Sequence, residues 1–284
     1  MKPACQSAIF TILFISIFSI GQLHSQITYG SKAKSPFLTI EIAGSYNLPI
    51  MDANSSLKDF FGFKGYGTSL GWGAQFNFKF GAGPKGQYRP YITLGYSQLQ
   101  GSDDNFAYID SNYISKGYPL RGSAMYKSTP GKSNIVLRIP FVGLGFEYAF
   151  VEANKKRTFI PFIGMGFTVN IINGMYRQTP TVSTRPDLSG IEVPFTIKTD
   201  VRVGINAGAG ADVKLTKTFG ITFGTRFQYS NLIAKNSTFL LEENKMNLLD
   251  KAATDLNTNL SKDRNIGYME FYLGVCFLIG KSNK

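Results

Sequence analysis

Between residues 69 and 80 the chain alternates apolar and polar side chains without a break. Leu70, Trp72, Ala74, Phe76, Phe78 and Phe80 fall on one parity, and Ser69, Gly71, Gly73, Gln75, Asn77 and Lys79 on the other. Successive side chains of a strand point to opposite faces, so the segment predicts a strand with one greasy and one polar side. Its length is the constraint. A strand of a soluble protein commonly has about five or six residues, whereas a strand tilted across a bilayer needs about 9 to 11.

The same alternation returns over residues 197–215, where Ile197, Thr199, Val201, Val203, Ile205, Ala207, Ala209, Ala211, Val213 and Leu215 share one parity. It returns again at Phe219, Ile221, Phe223, Phe227 and Tyr229, and at Met269, Phe271, Leu273, Val275, Phe277 and Ile279. Weaker versions over residues 37–47, 88–100, 134–151 and 158–172 bring the count to about eight strands. Between them, short segments at 81–87, 152–157 and 215–218 alternate with long polar ones at 48–65, 101–133, 173–196 and 232–264. Membrane barrels place short turns on the periplasmic side and long loops outside. The expected fold is therefore all-β: a transmembrane antiparallel up-and-down β-barrel of about eight strands with four long extracellular loops. Closure follows because hydrocarbon offers no partner to an unpaired backbone amide or carbonyl, so the sheet cannot keep an edge.

Three strands share a local pattern, with Pro90, Pro140 and Pro161 each followed by an aromatic residue and then glycine among aliphatics. Proline in a sheet belongs at a strand start or a bulge. Around Pro140, Arg138 shares parity with Val142 and Leu144, which predicts either a bulge or an Arg138 lying above the hydrocarbon. Leu249, Ala252, Ala253, Leu256 and Leu260 have helical spacing and predict a short surface helix in the last loop.

The N-terminus carries Lys2, an apolar run over residues 8–20 and a small residue, Ser25, before Gln26. That is the pattern of a secretory signal peptide over residues 1–25, leaving a single barrel domain over 26–284. Cys5 leaves with the signal, so Cys276 is the remaining cysteine and no intramolecular disulfide is expected. The formal charge of +12 becomes +11 without Lys2. In an exported protein this basic balance points to the anionic lipid and lipopolysaccharide of a membrane surface and not to nucleic acid.

The polar parity collects charge. Glu41, Lys79, Glu147, Lys198, Asp200, Arg202, Asp212, Arg226 and Glu270 are all expected to face the lumen. Buried charges persist when paired, so the leading interpretation is a salt-bridged network that fills a narrow barrel, with Glu41, Glu147 and Glu270 partnered by Arg202 and Arg226; an ion or proton path is the alternative. Glycines of the same parity, such as Gly71, Gly73, Gly143, Gly145, Gly208 and Gly210, make room for large neighbours. The chain's one histidine, His24, lies in the expected signal. Its loss removes the Ser-His and Asp-His pairs of most hydrolases and the imidazole metal sites, so no catalytic residue, cofactor or metal is assigned. Phe106, Tyr108, Tyr113, Tyr118 and Tyr126 in the second long loop are either interface anchors or contacts for an extracellular ligand. The functional expectation is a structural or surface-interaction barrel, with a narrow porin-like channel or transporter for small solutes as the alternative. A soluble ligand-binding barrel would carry its apolar face inward.

Taken together, the three proline motifs, the Ser25/Gln26 junction and the segment Asn134, Ile135, Val136, Leu137, Arg138, Ile139, Pro140, Phe141 resemble the porin-like outer-membrane β-barrel proteins of the Bacteroidota type. The resemblance covers most of residues 26–284 and implies outer-membrane residence and delivery by the barrel-insertion machinery. Such barrels usually finish on an aromatic residue. Here Phe277 is followed by seven others, so the resemblance implies recognition through an internal Phe277 or Phe271.

Overall fold

The computed structural model describes residues 37–61, 64–83, 86–109, 127–151, 158–181, 190–235, 245–246, 248, 250 and 263–280. The expected signal peptide and the five residues of the expected surface helix lie outside them. The strands are β1 (Leu38–Ile50), β2 (Leu70–Phe80), β3 (Tyr88–Asp103), β4 (Phe106–Ile109), β5 (Lys127–Ala149), β6 (Phe159–Pro180), β7 (Val193–Lys214), β8 (Phe219–Ile233), β9 (Lys245–Met246) and β10 (Gly267–Ile279). Eight of them close a ring in the order β1-β2-β3-β5-β6-β7-β8-β10, every pairing antiparallel. The expected barrel is the observed one.

Burial shows which solvent each face meets. In β2 the polar parity (Gly71, Gly73, Gln75, Asn77, Lys79) is buried, while Leu70, Trp72 and Phe76 are exposed. The same holds around the ring, where Ile42, Leu94, Val142, Phe146, Ile163, Phe167, Val201, Phe223, Phe271, Leu273 and Phe277 all point outward. An apolar face this continuous on the outside of a closed sheet is the signature of a lipid-facing wall. A soluble barrel would have the opposite sense, and that alternative is excluded for this part of the ring.

Three neighbouring strands exceed by the widest margin what a bilayer needs. The β5, β6 and β7 strands have 23, 22 and 22 residues, against about 9 to 11 for a crossing. Parts of the segments expected as loops at 101–133 and 173–196 are thus strand, and the short β4 adds to the edge of β5. In this overhang the polarity reverses. Ile135, Leu137, Ile139, Ile172, Tyr176, Phe195 and Ile197 are buried inside, whereas Lys132, Arg138 and Arg177 are exposed outside. Water is the solvent of the outer face here, so the ordinary soluble pattern returns.

The register of the ring is broken in the β6–β7 and β7–β8 ladders and not at Pro140. Around Pro140 the register with β3 and β6 does not shift; the β5–β6 ladder skips Ile139 and Pro140 and resumes at Phe141↔Asn170. No bulge forms: proline's fixed φ is tolerated in extended backbone and the ladder loses one amide donor without shifting, and Arg138 lies outward above the apolar belt. The bulge occurs instead in β7, where Ile172 pairs Asp200 but Gly174 pairs Ile197. This shift turns Ile197 inward, correcting its expected outward place, and leaves Lys198 half-buried on the bulge.

Inside the membrane section, rings fill the lumen by lying over glycines. A Cβ on Gly145 would sit 2.2 Å from the Tyr91 ring and 2.6 Å from the Met165 carbonyl, and one on Gly95 would sit 2.2 Å from the Phe141 ring. Gly145→Ala is expected to cost about 1–3 kcal/mol, visible as a lower denaturant midpoint of the detergent-solubilised barrel. An unchanged midpoint would show that Tyr91 has room to move.

Candidate functional site

The charged lumen residues fall into three tiers. Nearest the short turns, Lys79 Nζ lies 2.6 Å from Glu41 and 3.0 Å from Glu147, bridging β2 to β1 and β5 across the lumen. Asn77 donates to the other Glu41 oxygen at 2.7 Å, and the Lys79 ammonium stands 4.5 Å from the centre of the Phe162 ring. Beside them Arg89 pairs with Asp212 at 2.6 Å. In the middle tier Arg226 meets Glu270 at 3.7 Å, donates to Gln75 at 2.5 Å and faces the Tyr272 ring. In the upper tier Arg202 grips Asp250 through two nitrogens at 3.0 and 3.1 Å and reaches Asp200 at 3.3 Å.

The expected pairing is thus met only for Glu270 and Arg226. Glu41 and Glu147 converge on Lys79, and Arg202 is taken by Asp200 and Asp250. Two members were missed by sequence reasoning. Arg89 shares the parity of Tyr91 and Thr93 and was legible as an inward residue, but it stands next to a turn. Asp250 lies in the last long loop, where no alternation reports on its direction.

Asp250 follows Met246 and Leu248, which belong to a second structure, an apolar cap. Ala53, Leu57, Phe60 and Tyr66 from the first long loop and Met246, Leu248 and Ile266 from the last pack with Leu99, Ile135, Leu137, Ile139, Ile172, Tyr176, Phe195, Ile197 and Tyr268 of the wall. The first loop holds its shape through a 3₁₀ turn (Met51–Ala53) and a short helix α1 (Leu57–Phe61). Ser56 and Asp59 cap the start of α1 reciprocally: the Asp59 amide donates to Ser56 Oγ at 3.2 Å, and the Ser56 amide to Asp59 Oδ2 at 3.2 Å.

The two loops are laced to each other and to the wall. The Asn265 amide donates to Asp52 at 2.8 Å, and Arg264 donates to the Gly65 carbonyl at 2.6 Å while lying 4.4 Å from the Tyr66 ring centre. Asn231 of β8 accepts from the Ile266 amide at 2.6 Å and donates to the Arg264 carbonyl at 2.9 Å. Burial raises the Tyr66 hydroxyl above its ordinary value, opposed by Arg264, and lowers the Arg264 guanidinium, opposed by Tyr66. Among the described residues no group of histidine, cysteine or carboxylate side chains has the arrangement of a metal site. Phe106 is exposed in β4, and the side chains of Tyr108, Tyr113, Tyr118 and Tyr126 lie outside the described set.

No protein-family model matches this sequence, and no curated protein matches it. Among solved structures the chain is similar to Neisserial surface protein A, at 9% identity over 85% of this chain and 97% of that one, with a TM-score of 0.42. It is similar also to a major outer membrane protein from Thermus thermophilus, at 11% identity over 84% and 98%, TM-score 0.40. A third is Ail, the attachment invasion locus protein of Yersinia pestis, at 9% identity over 86% and 98%, TM-score 0.34. The closed antiparallel register and the outward apolar wall of this chain make it a multi-pass β-barrel of the outer membrane.

Proposed function

We propose that this barrel has a structural or surface-interaction role and does not conduct. The observation that carries the reading is the apolar cap across the extracellular mouth, where Tyr66, Leu137, Ile172, Leu248 and Ile266 are all fully buried. Beneath it stand three tiers of paired charge, and an ion crossing the lumen would have to part both. The overhang of β4 to β7 raises a hydrogen-bonded, water-facing wall above the bilayer, the kind of surface on which a partner or neighbouring molecule docks. We also infer that the barrel is not an enzyme of the Ser-His or Asp-His kind, because residues 26–284 contain no histidine to shuttle protons. Outer-membrane lipid and lipopolysaccharide, the insertion machinery during assembly, and an extracellular ligand at the loops are the partners this reading implies.

Planar-bilayer recording of the purified full chain tests it. The expected result is no unitary current at either polarity. Reproducible current that disappears in a folded Arg226→Gln variant would establish the channel reading instead.

A further inference from the structure

The outer wall carries its charge in one place. Among the described residues of the eight ring strands, leaving aside the β7 bulge, the outward-facing charged side chains are Lys132, Arg138 and Arg177. All three are cations, and all three lie on the adjacent strands β5 and β6, on the extracellular side of the apolar belt. Arg177 has a carboxylate neighbour, Glu192 at 3.5 Å, both half-exposed. Neither Arg138 nor Lys132 forms an ion pair with a described residue.

The immediate surroundings of Arg138 are those of an interface. Gln98 of β3 and Asn173 of β6 are its register partners, so a guanidinium stands between two carboxamides on the outer face. One step toward the membrane lie Tyr96 and Pro140, which pair with each other, and the next step is Leu94 and Val142. Tyr96 donates to Gln98 at 3.0 Å and stands 5.4 Å from Trp72, which makes an aromatic shelf below the polar row. Above Arg138 the cations continue. Arg177 pairs with Asn134 and Lys132 with Thr179, placing them roughly 13 Å and 20 Å farther along the strands at about 3.3 Å per residue.

We propose that the outer face of β5 and β6 is a binding ridge for the phosphorylated glycolipid of the outer leaflet, with Arg138 taking the phosphate at the hydrocarbon boundary. Arg177 and Lys132 meet anionic groups on the sugars above it. The occupant is a lipid because the surface under the guanidinium is continuous apolar wall, which an acyl chain covers and a free anion does not. The charge is complementary, since a leaflet rich in anionic headgroups attracts juxtamembrane cations and a guanidinium binds phosphate oxygens in a two-pronged fashion. The ridge is independent of whether the lumen conducts.

Native mass spectrometry of the detergent-solubilised full chain tests this, with a bis-phosphorylated lipid A, the same lipid dephosphorylated, and inorganic phosphate as probes. The expected result is retention of the phosphorylated lipid, with affinity lower by roughly tenfold in Arg138→Gln, as for loss of a charged hydrogen bond, and lower still in the variant that also carries K132Q and R177Q. Millimolar inorganic phosphate should not displace it. Because Arg138 is exposed, the variant folds, which a retained heat-modifiable gel shift verifies. Equal binding of the dephosphorylated lipid, or unchanged affinity in Arg138→Gln, would overturn the proposal. Displacement by inorganic phosphate would overturn it as well, assigning the site to a free anion.

Discussion

Lys79→Met is expected to lower the stability of the folded barrel by about 3–5 kcal/mol, the cost of stripping one partner from a buried ion pair. The lysine is 1% exposed and separates two carboxylates, Glu41 and Glu147, that have no other cation within salt-bridge distance among the described residues. Removing it leaves two buried like charges without their shared partner. Denaturant unfolding of the protein in detergent reads the effect as a lower midpoint at unchanged slope. The companion variant carrying E41Q, K79M and E147Q removes all three charges and should recover most of the loss, since replacing a whole buried ion cluster with neutral groups is often close to neutral. If the single variant melts with the wild type, the tier contributes nothing to stability and another role must be sought for it.

Asp250→Ala acts at the other end of the lumen and has a local signature. Asp250 is fully buried, accepts two hydrogen bonds from Arg202 and another from Asn231 at 3.2 Å. Its loss leaves a buried guanidinium with Asp200 as its remaining carboxylate, again a cost of about 3–5 kcal/mol. The cost falls on closure of the cap because the ring strands do not depend on that contact. Limited proteolysis should therefore cut the last long loop at least tenfold faster in the variant, while the membrane-embedded strands stay protected. An identical cleavage pattern would show that the apolar packing of Leu248 and Ile266 holds the loop without the ion pair.

The membrane section was legible in the sequence because lipid and lumen impose opposite requirements on alternate residues, and β2 or β10 states both without interruption. The overhang was not. In β5 the residues Ile135, Leu137 and Ile139 keep strict alternation, but their apolar parity is the inward one, so the strand shows two codes in succession and reads as a weak version of either. In β6 the residues beyond Ile172 look like loop for the same reason: Asn173, Arg177 and Thr179 are polar because water faces them. Ile197 was placed outward by extending one parity through a bulge that leaves no trace in composition. As to the charge tiers, direction could be read from parity, whereas partners could not. Parity fixes which side of the sheet a residue takes, and pairing depends on height and on which strands face each other across the ring.

The exchange of polarity along β5 and β6 also fixes the depth at which the protein rides. Sliding the barrel outward by one repeat of two residues would lift aromatic wall into water, and sliding it inward would drag Arg138 among acyl chains. Each direction is penalised by a different class of side chain. The molecule therefore has a waterline written into its strands, set on one flank by a single arginine.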